Sequence, residues 1–102
     1  MKITVAILAF GAACAPALAQ DAEALLKKHG CTNCHTTDKP IVGPAYKAVA
    51  QKFGAQKDAQ ARLVDKVKKG GSGVWGPVPM PPNGHVPDAD INAMVKYILK
   101  LK

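Results

Sequence analysis

The sequence predicts an all-α domain of about four helices joined by one long, rigid loop. Apolar residues recur at helical spacing in several segments, no segment is β-rich, and the chain contains no internal repeats. The clearest helix covers residues 88–102, with acidic residues in its first turn, lysines in its last and one continuous apolar stripe. The stripe consists of Ile91, Met94, Val95, Ile98 and Leu99.

Two helices are predicted before it in the first half of the domain. Residues 21–29 begin with acidic and end with basic side chains, which complements the helix dipole. The buried face of this first helix is expected to consist of Ala22, Leu25 and Leu26. Residues 44–53 place Pro44 at the first helical position and are followed by Gly54. The apolar face of this second helix combines Tyr46, Val49 or Ala50, and Phe53.

A third helix and two loops complete the domain. Asp58 is expected to cap a helix that runs to Lys69, with Leu63, Val64 and Val67 facing inward. Residues 36–43 lack periodicity and form a loop. Residues 70–84 hold too many glycines and prolines for a helix or a central strand. Four prolines stiffen this second loop around Met80: Pro77, Pro79, Pro81 and Pro82.

Residues 1–19 have the pattern of a cleaved secretory signal peptide. Lys2 precedes a short apolar run, and Ala17-Leu18-Ala19 is an A-x-A cleavage site. The run is too short for a permanent membrane anchor. We therefore expect residues 20–102 to be the mature domain, exported to the periplasm without stable membrane insertion. Cys14 is expected to be discarded with the leader; the alternative, a lipid anchor site, lacks the leucine usual in that motif.

Cys31-Thr32-Asn33-Cys34-His35 is the attachment signature of a c-type haem. Each thiol adds to one haem vinyl group, and one helical turn separates the two sulfurs by about the distance between those vinyls. His35 then lies under the porphyrin, where its imidazole can bind the iron. Its second ring nitrogen is expected to donate to a backbone carbonyl, which fixes the ring plane.

Other uses of two closely spaced cysteines fit this sequence less well. A thiol oxidoreductase would place Cys31-x-x-Cys34 in a βαβ context, and a zinc site would need two further ligands at suitable spacing. A local disulfide would leave His35 unexplained. We therefore predict one covalently attached haem.

The second axial ligand has four candidates: Met80, Met94, His29 and His85. Met94 lies on the apolar stripe of the last helix and is expected to fill the core. His29 is too close to the haem motif to reach the opposite face. Met80 is preferred because its proline-rich surroundings can hold a thioether at a fixed point, and His85 remains the alternative.

The chain is basic, with a formal charge of +7 that falls to +6 when Lys2 leaves with the leader. No pattern of aromatic residues among the lysines suggests a nucleic-acid surface, and an exported protein is not expected to meet nucleic acid. Scattered lysines keep a protein soluble and can steer it toward an acidic partner.

Three pieces of the sequence resemble the short bacterial class I cytochromes c, the cytochrome c-551 group. They are residues 30–35, residues 42–46 (Val-Gly-Pro-Ala-Tyr) and residues 73–83 (Gly-Val-Trp-Gly-Pro-Val-Pro-Met-Pro-Pro-Asn). The resemblance covers essentially the whole mature chain. It implies the class I fold, in which the first and last helices cross and about four helices pack around one haem c.

The resemblance also implies roles for individual residues. Cys31 and Cys34 would bind the haem, and His35 and Met80 would be its axial ligands. The Pro44 carbonyl would accept from the His35 ring. The remaining contacts would be made by Trp75 (indole N–H to a propionate), Asn83 (near the methionine sulfur) and Lys66 (a propionate, at a position where the group often has arginine).

The expected function is outer-sphere electron transfer by a monomer that is not an enzyme. The resemblance implies respiratory or denitrifying partners such as a terminal oxidase, a nitrite reductase or a cytochrome bc complex, and the basic charge suggests acidic docking surfaces on them. The strong basicity departs from the more acidic members of the group. The alternative is a haem enzyme or gas-binding protein with an open sixth site, against which Met80 argues.

Overall fold

The computed structural model describes residues 15–102, of which residues 15–20 are described by their backbone alone. This part of the chain holds four α-helices and one short 3₁₀-helix, and no β-strand. The elements are α1 (Ala15–Lys28), the 3₁₀-helix Cys31–Asn33, α2 (Tyr46–Phe53), α3 (Ala59–Lys69) and α4 (Asp88–Leu99). The predicted all-α class is confirmed. The apolar run of the expected leader and Cys14 lie outside the described residues.

Helix α4 is the centre of the packing, since α1, α2 and α3 pack chiefly on α4 rather than on one another. Its apolar stripe explains this position, because Ile91, Met94 and Val95 are all buried. Leu26 of α1 and Tyr46 of α2 join the same core, as does Val86 just before α4. Met94 is therefore core filler, as the sequence predicts.

Two polar contacts fasten α1 to α4. His29, just after α1, lies with its Nε2 3.0 Å from an Asp90 carboxylate oxygen, and its side chain is 13% exposed. The Tyr97 hydroxyl donates to Glu23 over 2.7 Å. That hydrogen bond is the main cause of a raised pKa for Tyr97, because it stabilises the protonated hydroxyl.

Several predicted helix ends are wrong, and local hydrogen bonds explain two of them. Helix α2 begins at Tyr46 rather than Pro44, because Ala45 is extended and the Pro44 carbonyl accepts from a side chain outside the helix. Helix α4 ends at Leu99 rather than at residue 102, since the Lys100 amide closes a tighter turn on Tyr97.

Two further differences concern the start of α1 and the capping of α3. Helix α1 starts at Ala15 rather than Asp21, and so includes the expected cleavage site. Asp58 precedes α3 as predicted but makes no capping hydrogen bond; one of its carboxylate oxygens lies 3.9 Å from Arg62 Nε.

The glycine- and proline-rich segment folds back on itself between α3 and α4. Gly71 and Met80 exchange both backbone hydrogen bonds, at 3.0 and 2.8 Å, and the Gly73 amide donates to Gly76. Gly71 adopts a φ of +132°, which side-chain-bearing residues rarely adopt. The result is a loop that is held at its base by the Gly71–Met80 pair and has Trp75 near its tip. Among the helices of residues 15–102, no stretch combines the length and hydropathy needed to span a bilayer.

Candidate functional site

All four helices and the glycine- and proline-rich segment contribute to the wall of one cavity of about 880 Å³. Its volume lies within the range of roughly 300–1,000 Å³ that cofactor and small-molecule sites occupy. Cys31, Cys34, His35 and Met80 all line this cavity. The packing of three helices on α4 creates it, because the spaces between α1, α2 and α3 are left open to a ligand.

His35 is held by a backbone acceptor. Its Nδ1 lies 2.7 Å from the Pro44 carbonyl oxygen. A carbonyl oxygen can only accept, so Nδ1 carries the proton and Nε2 is left available as a metal ligand. The Pro44 contact is the one that the resemblance to cytochromes c-551 implies.

Gly43 leaves the space that the His35 ring occupies. A Cβ built on Gly43 would lie 2.5 Å from Cε1 and 2.8 Å from Nδ1 of His35. The Gly43 amide also donates to the Cys34 carbonyl over 2.7 Å. The sequence alone assigns no role to Gly43; its position directly before Pro44 is the feature that could have suggested one.

Tyr46 also packs against the His35 ring. The two rings stack with their centroids 5.5 Å apart and an angle of 26° between their planes. Tyr46 is only 5% exposed, and burial is the main cause of its raised pKa. Its hydroxyl makes no hydrogen bond within the described part of the chain. Sequence reasoning placed Tyr46 on a buried face but did not predict this contact with His35.

The two thiols lie on one turn of chain and are not bonded to each other. Cys31 begins the 3₁₀-helix, and Cys34 follows its last residue. Both are partly buried, and burial raises the pKa of the Cys31 thiol. The left-handed conformation of Gly30, with φ at +74°, turns the chain from α1 into this helix.

Met80 enters the cavity from the glycine- and proline-rich segment. Its backbone is fixed by the two hydrogen bonds to Gly71, and its side chain is partly buried. Gly70 must be small, because a Cβ there would collide with the Met80 carbonyl oxygen. Its φ of +70° also suits glycine.

The three remaining predicted contact residues have different surroundings. Trp75 and Lys66 line the cavity, and the Lys66 ammonium lies against Gly71. Asn83 does not line it: its amide donates to the carbonyls of Val67 (3.2 Å) and Pro81 (3.0 Å) rather than to the Met80 sulfur. Asn83 therefore ties the end of the segment to α3.

The other candidate ligands have different surroundings. Met94 is buried on α4 and also lines the cavity, whereas His29 is bound to Asp90 and His85 lies on the surface. Within residues 15–102 no three His, Cys, Asp or Glu side chains cluster in a way that could hold a metal ion.

The donor set fits a covalently attached haem. Two thiols for the vinyl groups, an imidazole with a free Nε2 and the thioethers of Met80 and Met94 line a single cavity, and the rest of its wall is mainly apolar. The mouth of the cavity carries exposed large apolar side chains: Ile41, Val42, Val74, Trp75 and Val78.

Comparison with known proteins gives a consistent result. The sequence matches the cytochrome c family over residues 19–102. Cytochrome c-551 of Allochromatium vinosum is 60% identical over 77 residues, which cover 76% of this chain and 82% of that protein. The crystal structure of Nitrosomonas europaea cytochrome c552 superposes with a TM-score of 0.76 at 48% identity, covering 78% of this chain and 99% of the other. The class 1 cytochrome MtoD of Sideroxydans lithotrophicus gives 0.70 at 32% identity, covering 80% and 94%.

Proposed function

The chain belongs to the cytochrome c family, and we propose that His35 and Met80 ligate its single haem iron in a periplasmic shuttle of single electrons. Membership makes it a monohaem class I electron carrier rather than an enzyme, with haem c attached through the Cys31–Cys34 pair. A haem iron with histidine and methionine ligands supplies a one-electron couple whose reduced state the thioether favours.

The observation that carries the proposal is that His35 and Met80 line one cavity, with the imidazole of the first and the backbone of the second each held by hydrogen bonds. The Pro44 carbonyl accepts a hydrogen bond from the His35 imidazole, and Gly71 and Met80 exchange two backbone hydrogen bonds. Asn83 anchors the end of the same segment. Such restraint keeps both ligands in place in either oxidation state, which limits the reorganisation that accompanies electron transfer.

Export and partner choice are supported by the sequence and by charge. The leader pattern of residues 1–19 supports a periplasmic location. Most acidic side chains of the described chain already face a basic partner, so positive charge is left over for an acidic surface. We therefore propose terminal oxidases, nitrite reductases or cytochrome bc complexes with acidic docking surfaces. Their electron-transfer rates should fall as salt is added.

The test of ligation is a pair of single substitutions in the holoprotein. Met80→Ala should lower the reduction potential and allow the reduced protein to bind carbon monoxide rapidly, whereas His85→Ala should leave both unchanged. The unsubstituted reduced protein should resist carbon monoxide at neutral pH. Rapid, complete binding by the unsubstituted protein would instead favour a gas-binding protein or a haem enzyme with an open sixth site.

A further inference from the structure

Helix α2 contacts both segments that carry the proposed axial ligands. At its first residue, Tyr46 stacks on His35. At its last residue, Phe53 meets Trp75 edge to face, with ring centroids 6.4 Å apart and an angle of 69° between the planes. About 10 Å of helix separates the two contacts, since seven residue steps rise about 1.5 Å each.

Trp75 is also covered by a cation from the same helix. The Lys52 ammonium lies 5.4 Å from the centroid of the Trp75 ring, within the range of a cation–π interaction. Arg62 of α3 braces the cluster from a third element, with its Cζ 5.8 Å from the Phe53 ring centroid. Lys52, Phe53, Arg62 and Trp75 thus form one cluster, which we call the Trp75 cluster.

The loop tip depends on these side-chain contacts because its backbone makes few hydrogen bonds to the rest of the fold. Trp75 is 46% exposed, and its neighbours Gly73 and Gly76 pair with each other instead of with a helix. Both of these glycines have a positive φ, and a Cβ on either would meet open space. The tip is therefore joined to α2 through the Trp75 side chain, while Met80 lies at the base of the same loop.

We infer that α2 is a spacer that sets the separation of the His35 and Met80 segments, with Lys52 as the positioning residue at its loop end. The inference rests on the proposed His35/Met80 ligation. Loss of the Lys52 cation loosens the loop tip and lets Met80 leave the iron more often. A contact of this kind at an exposed site changes such an equilibrium about two- to fivefold.

The test compares Lys52→Gln with two controls in the reduced holoprotein. Lys52→Arg keeps a cation over the ring. Lys57→Gln removes the same charge from the exposed turn after α2, where Lys57 makes no ion pair or ring contact with the described residues. Carbon monoxide is the probe, because it binds only when Met80 has left. The indole N–H resonance of Trp75 is a second readout, since the chain has only one tryptophan.

Lys52→Gln should raise the carbon monoxide binding rate about two- to fivefold and increase the mobility of the indole N–H. Lys52→Arg and Lys57→Gln should leave the carbon monoxide binding rate and the indole N–H mobility unchanged. In a Trp75→Leu background, Lys52→Gln should cause no further rise in the carbon monoxide binding rate. An unchanged rate in Lys52→Gln, or an equal rise in Lys57→Gln, would overturn the inference. Rapid binding by the unsubstituted protein would instead count against the ligation itself, so the two failures are distinguishable.

Discussion

Gly43→Ala should displace the His35 ring, although the backbone conformation of Gly43 is one that alanine can adopt. The φ of Gly43 lies outside the left-handed region, so alanine costs no backbone strain there. The new Cβ, however, would lie 2.5 Å from His35 Cε1, and ordinary van der Waals contact begins at 3.4 Å. The ring must therefore move by roughly 0.9 Å, which exceeds the tolerance of its 2.7 Å hydrogen bond to Pro44.

The expected cost follows from these two effects. Overpacking of this kind costs about 1–3 kcal/mol, and the lost hydrogen bond about 1 kcal/mol more. Chemical denaturation of the holoprotein should thus show a free energy of unfolding lowered by about 2–4 kcal/mol. Spectra of the oxidised iron should report a rotated imidazole plane.

Gly84→Ala is the matched control for this substitution. A Cβ there would meet only the Lys68 carbonyl at 3.8 Å, and its φ is also outside the left-handed region. Its free energy of unfolding should stay within about 0.5 kcal/mol of the unsubstituted protein, as is usual for surface changes. Equal stability of Gly43→Ala and Gly84→Ala, together with an unchanged imidazole spectrum, would show that the His35 ring tolerates a Cβ at residue 43.

Three further substitutions test the contacts that hold the fold. Tyr97→Phe should lower the free energy of unfolding by about 1 kcal/mol at pH 8. Because hydrogen bonding to Glu23 raises the Tyr97 pKa above its usual 10.0, this contribution is present below pH 10 and is lost as the pH rises through the folded-state pKa. The denaturation curves of the two proteins should therefore converge in alkali, and a difference that persists there would contradict the assignment. Asn83→Ala should lower the free energy of unfolding by about 1–3 kcal/mol through the loss of two hydrogen bonds. An unchanged free energy of unfolding in chemical denaturation would show that the glycine- and proline-rich segment is anchored by other contacts. Asp90→Ala should cost about 1 kcal/mol by releasing His29, with Asp21→Ala as an exposed control that should change nothing in the same assay.

The sequence predicted the elements that depend on local pattern. The apolar stripe of α4 and the buried faces of α1 and α2 follow from helical spacing, and the structure confirms them. The haem motif was readable because its chemistry requires five consecutive residues. Met80 stood out for a similar reason, since four prolines surround it within the chain.

The features that the sequence did not predict depend on contacts between distant segments. Pro44 looked like a helix start, but its carbonyl binds His35 and the chain stays extended for one more residue. Asn83 makes its hydrogen bonds to α3, and periodicity carries no information about which carbonyl lies nearby. The stack of Tyr46 on His35 likewise forms only because residues 36–43 return the chain to the haem motif.

The most direct test of the ligation is the resonance of methionine methyl groups in the reduced protein. Cleavage after Ala19, as the leader pattern predicts, would leave only Met80 and Met94, so ¹³C-methyl labelling should give two signals. A methyl held on an axial ligand lies against the face of the porphyrin, whose ring current shifts it far from the normal range. We predict one such signal, and its loss in Met80→Leu. A normal Met80 signal, or a strongly shifted signal that survives in Met80→Leu, would contradict ligation by His35 and Met80.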